Sequence, residues 1–251
     1  ALLVGDKLYS SHCPIFAQTS QLKPFAGPYG PTIMGILPGV LLSVTFLASP
    51  VSQPKTMTKA VVRLTGPGIK PGSPAALPKT IYRAGPHYAR IEDPPDARQG
   101  MRKLTIIAEP DAYSVNLMDK KGAHAIDQGG ADDVHMPVVF DPTHKLKTLN
   151  HLEFGDELAF FEKAGAEKAI GPIVNNQPTD AYRLPEEEGS AILIVKRGSE
   201  TPISLSWQTK DGIYTYEYFR YEQLPFNPAL FAKPAGISYH DMLPDPNRAN
   251  E

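Results

Sequence analysis

Residues 203–221, ISLSWQTKDGIYTYEYFRY, decide how this chain folds. Ile203, Leu205 and Trp207 alternate with Ser204, Ser206 and Gln208, so an extended segment presents one apolar and one polar face, the period-2 pattern of a half-buried strand. Asp211-Gly212 then reverses the chain, because tight turns that suit the twist of strands need positive φ, which glycine adopts freely. The return, residues 213–221, concentrates the aromatic and β-branched residues that strands favour. Both of its alternating sets are apolar or aromatic in part, which predicts a strand covered on two sides. The hairpin therefore implies an antiparallel sheet with a strongly apolar, aromatic-rich face.

Working outward, short strand candidates recur between turn signals. Toward the N-terminus they are residues 57–64, 80–84 and 87–93 around Gly85-Pro86, 104–108 and 113–117 around residues 109–111, and 123–127 after the turn DKKG at 119–122. Nearer the hairpin, residues 170–174, 179–184 and 191–196 follow the same pattern. Such spacing belongs to a sandwich, barrel or curved sheet. One amphipathic helix is expected at residues 150–164, NHLEFGDELAFFEKA, where Leu152, Leu158 and Phe161 recur at helical spacing and Gly155 weakens the pattern. Beyond the hairpin, residues 224–239, LPFNPALFAKPAGISY, carry four prolines. They are expected to drape over the sheet, anchored by Phe226, Leu230 and Phe231.

The chain has 251 residues, enough for one large all-β domain. The expected organisation is an irregular leader or upstream extension at 1–32, a signal-peptide apolar core at 33–48 (IMGILPGVLLSVTFLA), a linker at 49–55, a domain at 56–240 and a tail at 241–251. Export to a periplasm follows from that reading. With 25 basic against 27 acidic residues there is no electrostatic footprint for nucleic acid. The single cysteine, Cys13, allows no disulfide within the chain.

Chemistry-bearing residues are sparse. His124, Asp127, Asp132, Asp133 and His135 are the densest set of metal-ligand types, but their spacing fits no strict template and Gly129-Gly130 makes the segment a loop, so a solvated acidic turn is the expected reading. No G-x-S-x-G or phosphate-cradling glycine pattern is present. Neither a cofactor nor a metal is called for.

The block Tyr82-Arg83-x-Gly85-Pro86, the turn at 119–122 with His124 and Asp127-Gln-Gly-Gly130 behind it, and the ending Leu224-Pro-Phe226…Phe231…Pro234 resemble the periplasmic lipoprotein-carrier (LolA-like and LolB-like) superfamily, in a bacterial branch of it. The likeness spans about residues 56–240. It implies a mainly β fold, a curved antiparallel sheet forming an incomplete half-barrel of about eleven strands, with one or two helices and the proline-rich tail as a lid over an apolar cavity for acyl chains. The residues assigned to that cavity are Leu104, Ile106, Val115, Leu117, Ile203, Leu205, Trp207, Tyr216 and Phe219. The resulting expectation is a monomeric, non-enzymatic envelope protein that binds a lipid or an acylated protein. Two rivals stand beside it: an envelope interaction or scaffold protein with a filled core and no ligand, and a metal-dependent enzyme using the His124–His135 loop.

Overall fold

The deciding hairpin lies in the middle of a broad sheet. In this computed structural model, residues 53–126, 149, 152–186 and 189–241 are described, all within one compact unit, Gln53–Leu243. The strands are β1 (Thr56–Thr65), β2 (Lys79–Ala84), β3 (Tyr88–Glu92), β4 (Lys103–Ala108), β5 (Asp111–Asn116), β6 (Lys121–Ile126), β7 (Glu167–Ile170), β8 (Thr179–Glu186), β9 (Gly189–Lys196), β10 (Pro202–Thr209), β11 (Gly212–Pro225) and β12 (Ser238–Asp241), with helix α1 at Glu157–Lys163. They form one sheet in the order β12-β6-β5-β4-β3-β2-β1-β11-β10-β9-β8-β7. Its edges, β12 and β7, do not meet, so the sheet is an open, curved half-barrel.

The strand register shows which side chains share a face. Ala60 pairs with Ile81 and Tyr221, Leu205 with Tyr216 and Leu193, and Tyr182 with Leu193. These residues therefore lie on one face, where Leu149, Leu152, Phe154 and Phe161 pack over them in a single cluster. Odd and even positions alternate between faces. Hence Met57, Tyr82, Ala84 and, through the β3–β5 register, Leu104, Ile106, Tyr113 and Val115 point the other way. There the cover is the proline-rich tail: Phe226, Leu230, Phe231, Ile237 and Tyr239 pack on that second cluster. Phe226 and Phe231 stack at 5.5 Å, and Tyr88 meets both rings.

The structure refines the expected sheet of about eleven strands and corrects three further expectations. The sheet has twelve strands, because the tail ends in β12, which pairs with β6 in parallel, so the sheet is not purely antiparallel. The helix covers seven residues instead of fifteen, since Gly155 sits at φ +93°, outside helical backbone. Residues 170–174 do not run as one strand: β7 stops at Ile170, and a tight reversal at Asn175-Asn176, both at positive φ, closes a small hairpin between Val174 and Gln177. At the opening hairpin the two loop residues are Lys210 and Asp211, with Gly212 already paired to Thr209 at φ +130°.

Candidate binding groove

Two interruptions of strand alternation create the most distinctive opening. β10 pairs with β9 through Pro202↔Val195 and then Ser204↔Ile194, which leaves Ile203 bulged out of register. On β11 the register with β1 jumps from Tyr218 to Arg220, which bulges Phe219 in the same way. Bulges re-aim side chains and bend the strand. Both displaced residues line a groove of about 220 Å³, together with Pro202 and Val174 from the small hairpin. Tyr218 and Tyr221 form a wall, and Lys196 and Arg220 are the charged residues of its lining. Phe219 is 56% exposed, with the Arg63 guanidinium 4.9 Å from its ring centre.

Behind that wall lies a buried carboxylate. Glu157, the first residue of α1, is 1% exposed and accepts hydrogen bonds from Tyr218 Oη (2.9 Å) and Tyr221 Oη (3.2 Å). Burial raises the Glu157 carboxyl above its ordinary range, while the backbone N–H groups of Gly155 and Glu157 and the two tyrosines pull it back. Burial and the adjacent carboxylate push both tyrosine hydroxyls far up, so they stay protonated and act as donors. This arrangement pins α1 to β11 and holds Tyr218 and Tyr221 in the groove lining. A second, much smaller cavity of about 20 Å³ lies where Phe154 and Glu153 meet Ile81, Arg83, Pro86 and Ile107. Arg83 and Glu153 form an ion pair there.

The nine residues assigned to one apolar cavity fall into three places. Leu104, Ile106 and Val115 are buried in the tail-covered cluster, with Leu117 packed beside them. Leu205, Trp207 and Tyr216 are buried in the helix-covered cluster on the opposite face. Ile203 and Phe219 line the groove. The single shared cavity is therefore corrected: side chains on opposite faces of a sheet cannot line one space, and alternation alone does not register the bulge that separates Ile203 from Leu205 and Trp207. Lys196, Arg220 and Val174 are groove residues that the strand pattern does not single out. The Asn175-Asn176-Gln177-Pro178 turn signal marks the hairpin that brings Val174 into place.

Of the metal-ligand types, His124 lies on β6, stacks on Tyr113 at 4.9 Å, and meets Asp111 (2.7 Å) and Asp241 (3.1 Å). Those hydrogen bonds raise its pKa. Asp127, Asp132, Asp133 and His135 lie outside the described residues. Among the described residues no group of three or more His, Cys, Asp or Glu is placed to hold a metal ion.

No protein-family model matches the sequence, and no curated protein sequence does. Solved structures resemble it at low identity. They include an uncharacterized conserved protein from Thermus thermophilus (7% identity, 75% of this chain and 91% of that one, TM-score 0.44). A chain of the Pseudomonas aeruginosa MucA/MucB complex matches at 11% identity over 71% of this chain and 56% of that one, with a TM-score of 0.36. A LolA superfamily protein from Nitrosomonas europaea matches at 9% identity over 73% and 92%, with a TM-score of 0.29. A LolA superfamily protein is thus among the structures that this chain resembles. All three scores lie below 0.5, and the architecture described above stands on its own strand order and register.

Proposed function

We propose that this is an exported, non-enzymatic envelope protein that binds an acyl chain of a lipid or of an acylated partner in the groove beside β10 and β11. The observation that carries this reading is the pairing of two bulged apolar side chains, Ile203 and Phe219, in one opening whose charged lining residues are both cations. Ile203, Phe219, Pro202 and Val174, set among Asn175, Gln177 and Thr201 and beside Lys196 and Arg220, suit the end of an apolar chain with an anionic head. The groove's volume lies below the ~300–1,000 Å³ of pockets that enclose a ligand, so it takes one end of a chain and leaves the rest outside. Native mass spectrometry of the purified full chain, with titration of a fluorescent fatty acid, tests the reading. Wild type retains lipid or binds the probe, and Ile203→Glu abolishes the binding because an unpaired carboxylate is disfavoured against an apolar chain.

A second reading, an envelope interaction protein that holds no ligand, is favoured by the packing of Leu205, Trp207 and Ile106 at 0% exposure within filled clusters. Absence of both co-purified lipid and probe binding would replace the first reading with this one.

A further inference from the structure

Ile170 and Ile173 are 83% and 76% exposed, more than any other large apolar side chain among the described residues. Single exposed apolar residues are ordinary on protein surfaces. These two, however, lie three residues apart where β7 leads into the small hairpin, on a backbone held by several hydrogen bonds. Gly171 N–H donates to Thr179 O (3.0 Å), and Val174 and Gln177 exchange hydrogen bonds of 3.1 and 2.9 Å across Asn175-Asn176. The fully buried Thr179 donates its hydroxyl to Pro172 O at the hairpin's base, and Arg197 N–H donates to Pro178 O. From Ala169 to Thr179 the chain carries no charge.

Around this apolar tip stand Lys168, Lys196, Arg197 and Arg220, with Asp180 held between Lys168 (3.3 Å) and Arg197 (2.8 Å) and Glu222 near Arg220 (3.5 Å). Glu200 is a further carboxylate of the β9–β10 turn, and Glu167, by strand alternation, points to the other face of β7 from Lys168 and Ile170. We propose that residues 170–174 form a lipid-docking tip that seats Ile170 and Ile173 in an anionic membrane surface, beside the mouth of the groove. Size favours a bilayer over a protein partner. Two side chains fall far short of the ~800 Å² per partner that a stable protein interface buries, whereas an interfacial wedge needs only apolar area and adjacent cations. The inference does not require the groove to hold a ligand.

Flotation of the purified full chain with vesicles of phosphatidylglycerol and phosphatidylcholine tests it. Wild type floats with the vesicles. Ile170→Ser/Ile173→Ser weakens partitioning roughly tenfold or more, Lys196→Glu weakens it roughly fivefold, and Met118→Ser/Ile126→Ser leaves it unchanged. All variants keep the wild-type melting temperature. Because other segments of the chain also contain apolar runs, the tip is read directly as well: Ile173→Cys on a Cys13→Ser background, labelled with a polarity-sensitive fluorophore, shifts to the blue on vesicle addition. An unshifted label, or a tip variant that floats like wild type, overturns the proposal. So does a dimer that the tip variant abolishes while no vesicle binding occurs, which would assign the tip to a second copy of the chain. Fatty-acid binding without vesicle docking would overturn this inference and leave the groove reading standing.

Discussion

One face of the sheet is closed by a helix whose first residue is a buried acid, the other by a proline-rich tail built on stacked rings. On the helix side, Leu152, Phe154 and Phe161 sink into a cluster that spans β1, β2 and β8 to β11, and Glu157 and the Arg83–Glu153 ion pair fix the cover to the sheet. On the tail side, Phe226 and Phe231 rest on Tyr88 and Ala84. The attachments there include the Arg90-to-Leu230 carbonyl hydrogen bond (2.8 Å), the Phe226 N–H to Lys55 carbonyl hydrogen bond (3.0 Å), the four residues of β12 and His124 against Asp241. The contrast teaches that apolar area alone does not set how firmly a cover is held. The helix side couples burial to polar groups that must stay paired, whereas the tail side relies on rings and an edge strand, and its prolines withhold backbone donors.

The largest expected effect lies on the helix side. Phe161→Ala should cost about 3–5 kcal/mol and Leu205→Ala about 2–5 kcal/mol in chemical denaturation, the values for truncation in a close-packed interior. A Leu205→Ala cost well below ~2 kcal/mol would reveal free space beside it on the helix-covered face. Phe231→Ala should come next, at the low end near 3 kcal/mol, since the tail can settle into the gap more easily than a strand can. An equal or larger cost than that of Phe161→Ala would break the contrast between the covers.

Gly212→Val is smaller, about 1–3 kcal/mol, because its φ of +130° strains a β-branched residue. A Cβ there would also approach Pro67 Cγ at 2.7 Å. An unchanged midpoint would show that this turn relaxes without loss.

The smallest effects are the pH dependences, and they separate the two covers. Burial raises the Glu157 carboxyl, so the folded state binds its proton more tightly than the unfolded chain does. Its contribution is therefore complete below the ordinary value of 4.5 and declines as pH rises through the folded value. For His124, raised by its hydrogen bonds to Asp111 and Asp241, the stabilisation is complete below 6.5 and is lost as pH rises through the folded value. Melting temperatures across pH should thus lose the lower-starting decline in Glu157→Gln and the higher-starting one in His124→Gln. A decline beginning near 4.5 that survives Glu157→Gln would place its source elsewhere.

Much of this architecture was legible in the residues. Strand patterning and turn signals located ten of the antiparallel strands to within a few positions and met β7 only at Ile170, and the prolines with Phe226, Leu230 and Phe231 identified the tail as a cover. What alternation cannot carry is a change of register. A one-residue bulge at Ile203 or Phe219 leaves the local pattern apolar while moving the side chain into a different environment. It also cannot tell which face of a neighbouring strand is apolar in common, which is why Leu104 and Leu205 were expected in one cavity. β12 escaped because a four-residue edge strand, Ser238–Asp241, has no alternation long enough to read. The groove was half legible, in Ile203 and Phe219, while its Val174 wall depends on a turn that only the asparagine pair signals.

Trp207, the chain's single tryptophan, is fully buried, lies nearly parallel to Tyr214 at 5.5 Å, and has no hydrogen-bond partner for its indole N–H among the described residues. Its intrinsic fluorescence is consequently a one-sided reporter. Emission from an apolar, unpaired indole should be blue and should shift red when the helix cover lifts, yet stay still when the tail lifts from the opposite face. Unfolding followed by tryptophan emission and by far-ultraviolet dichroism should therefore diverge wherever the tail side opens first, which gives each face of the sheet its own optical signature without a label.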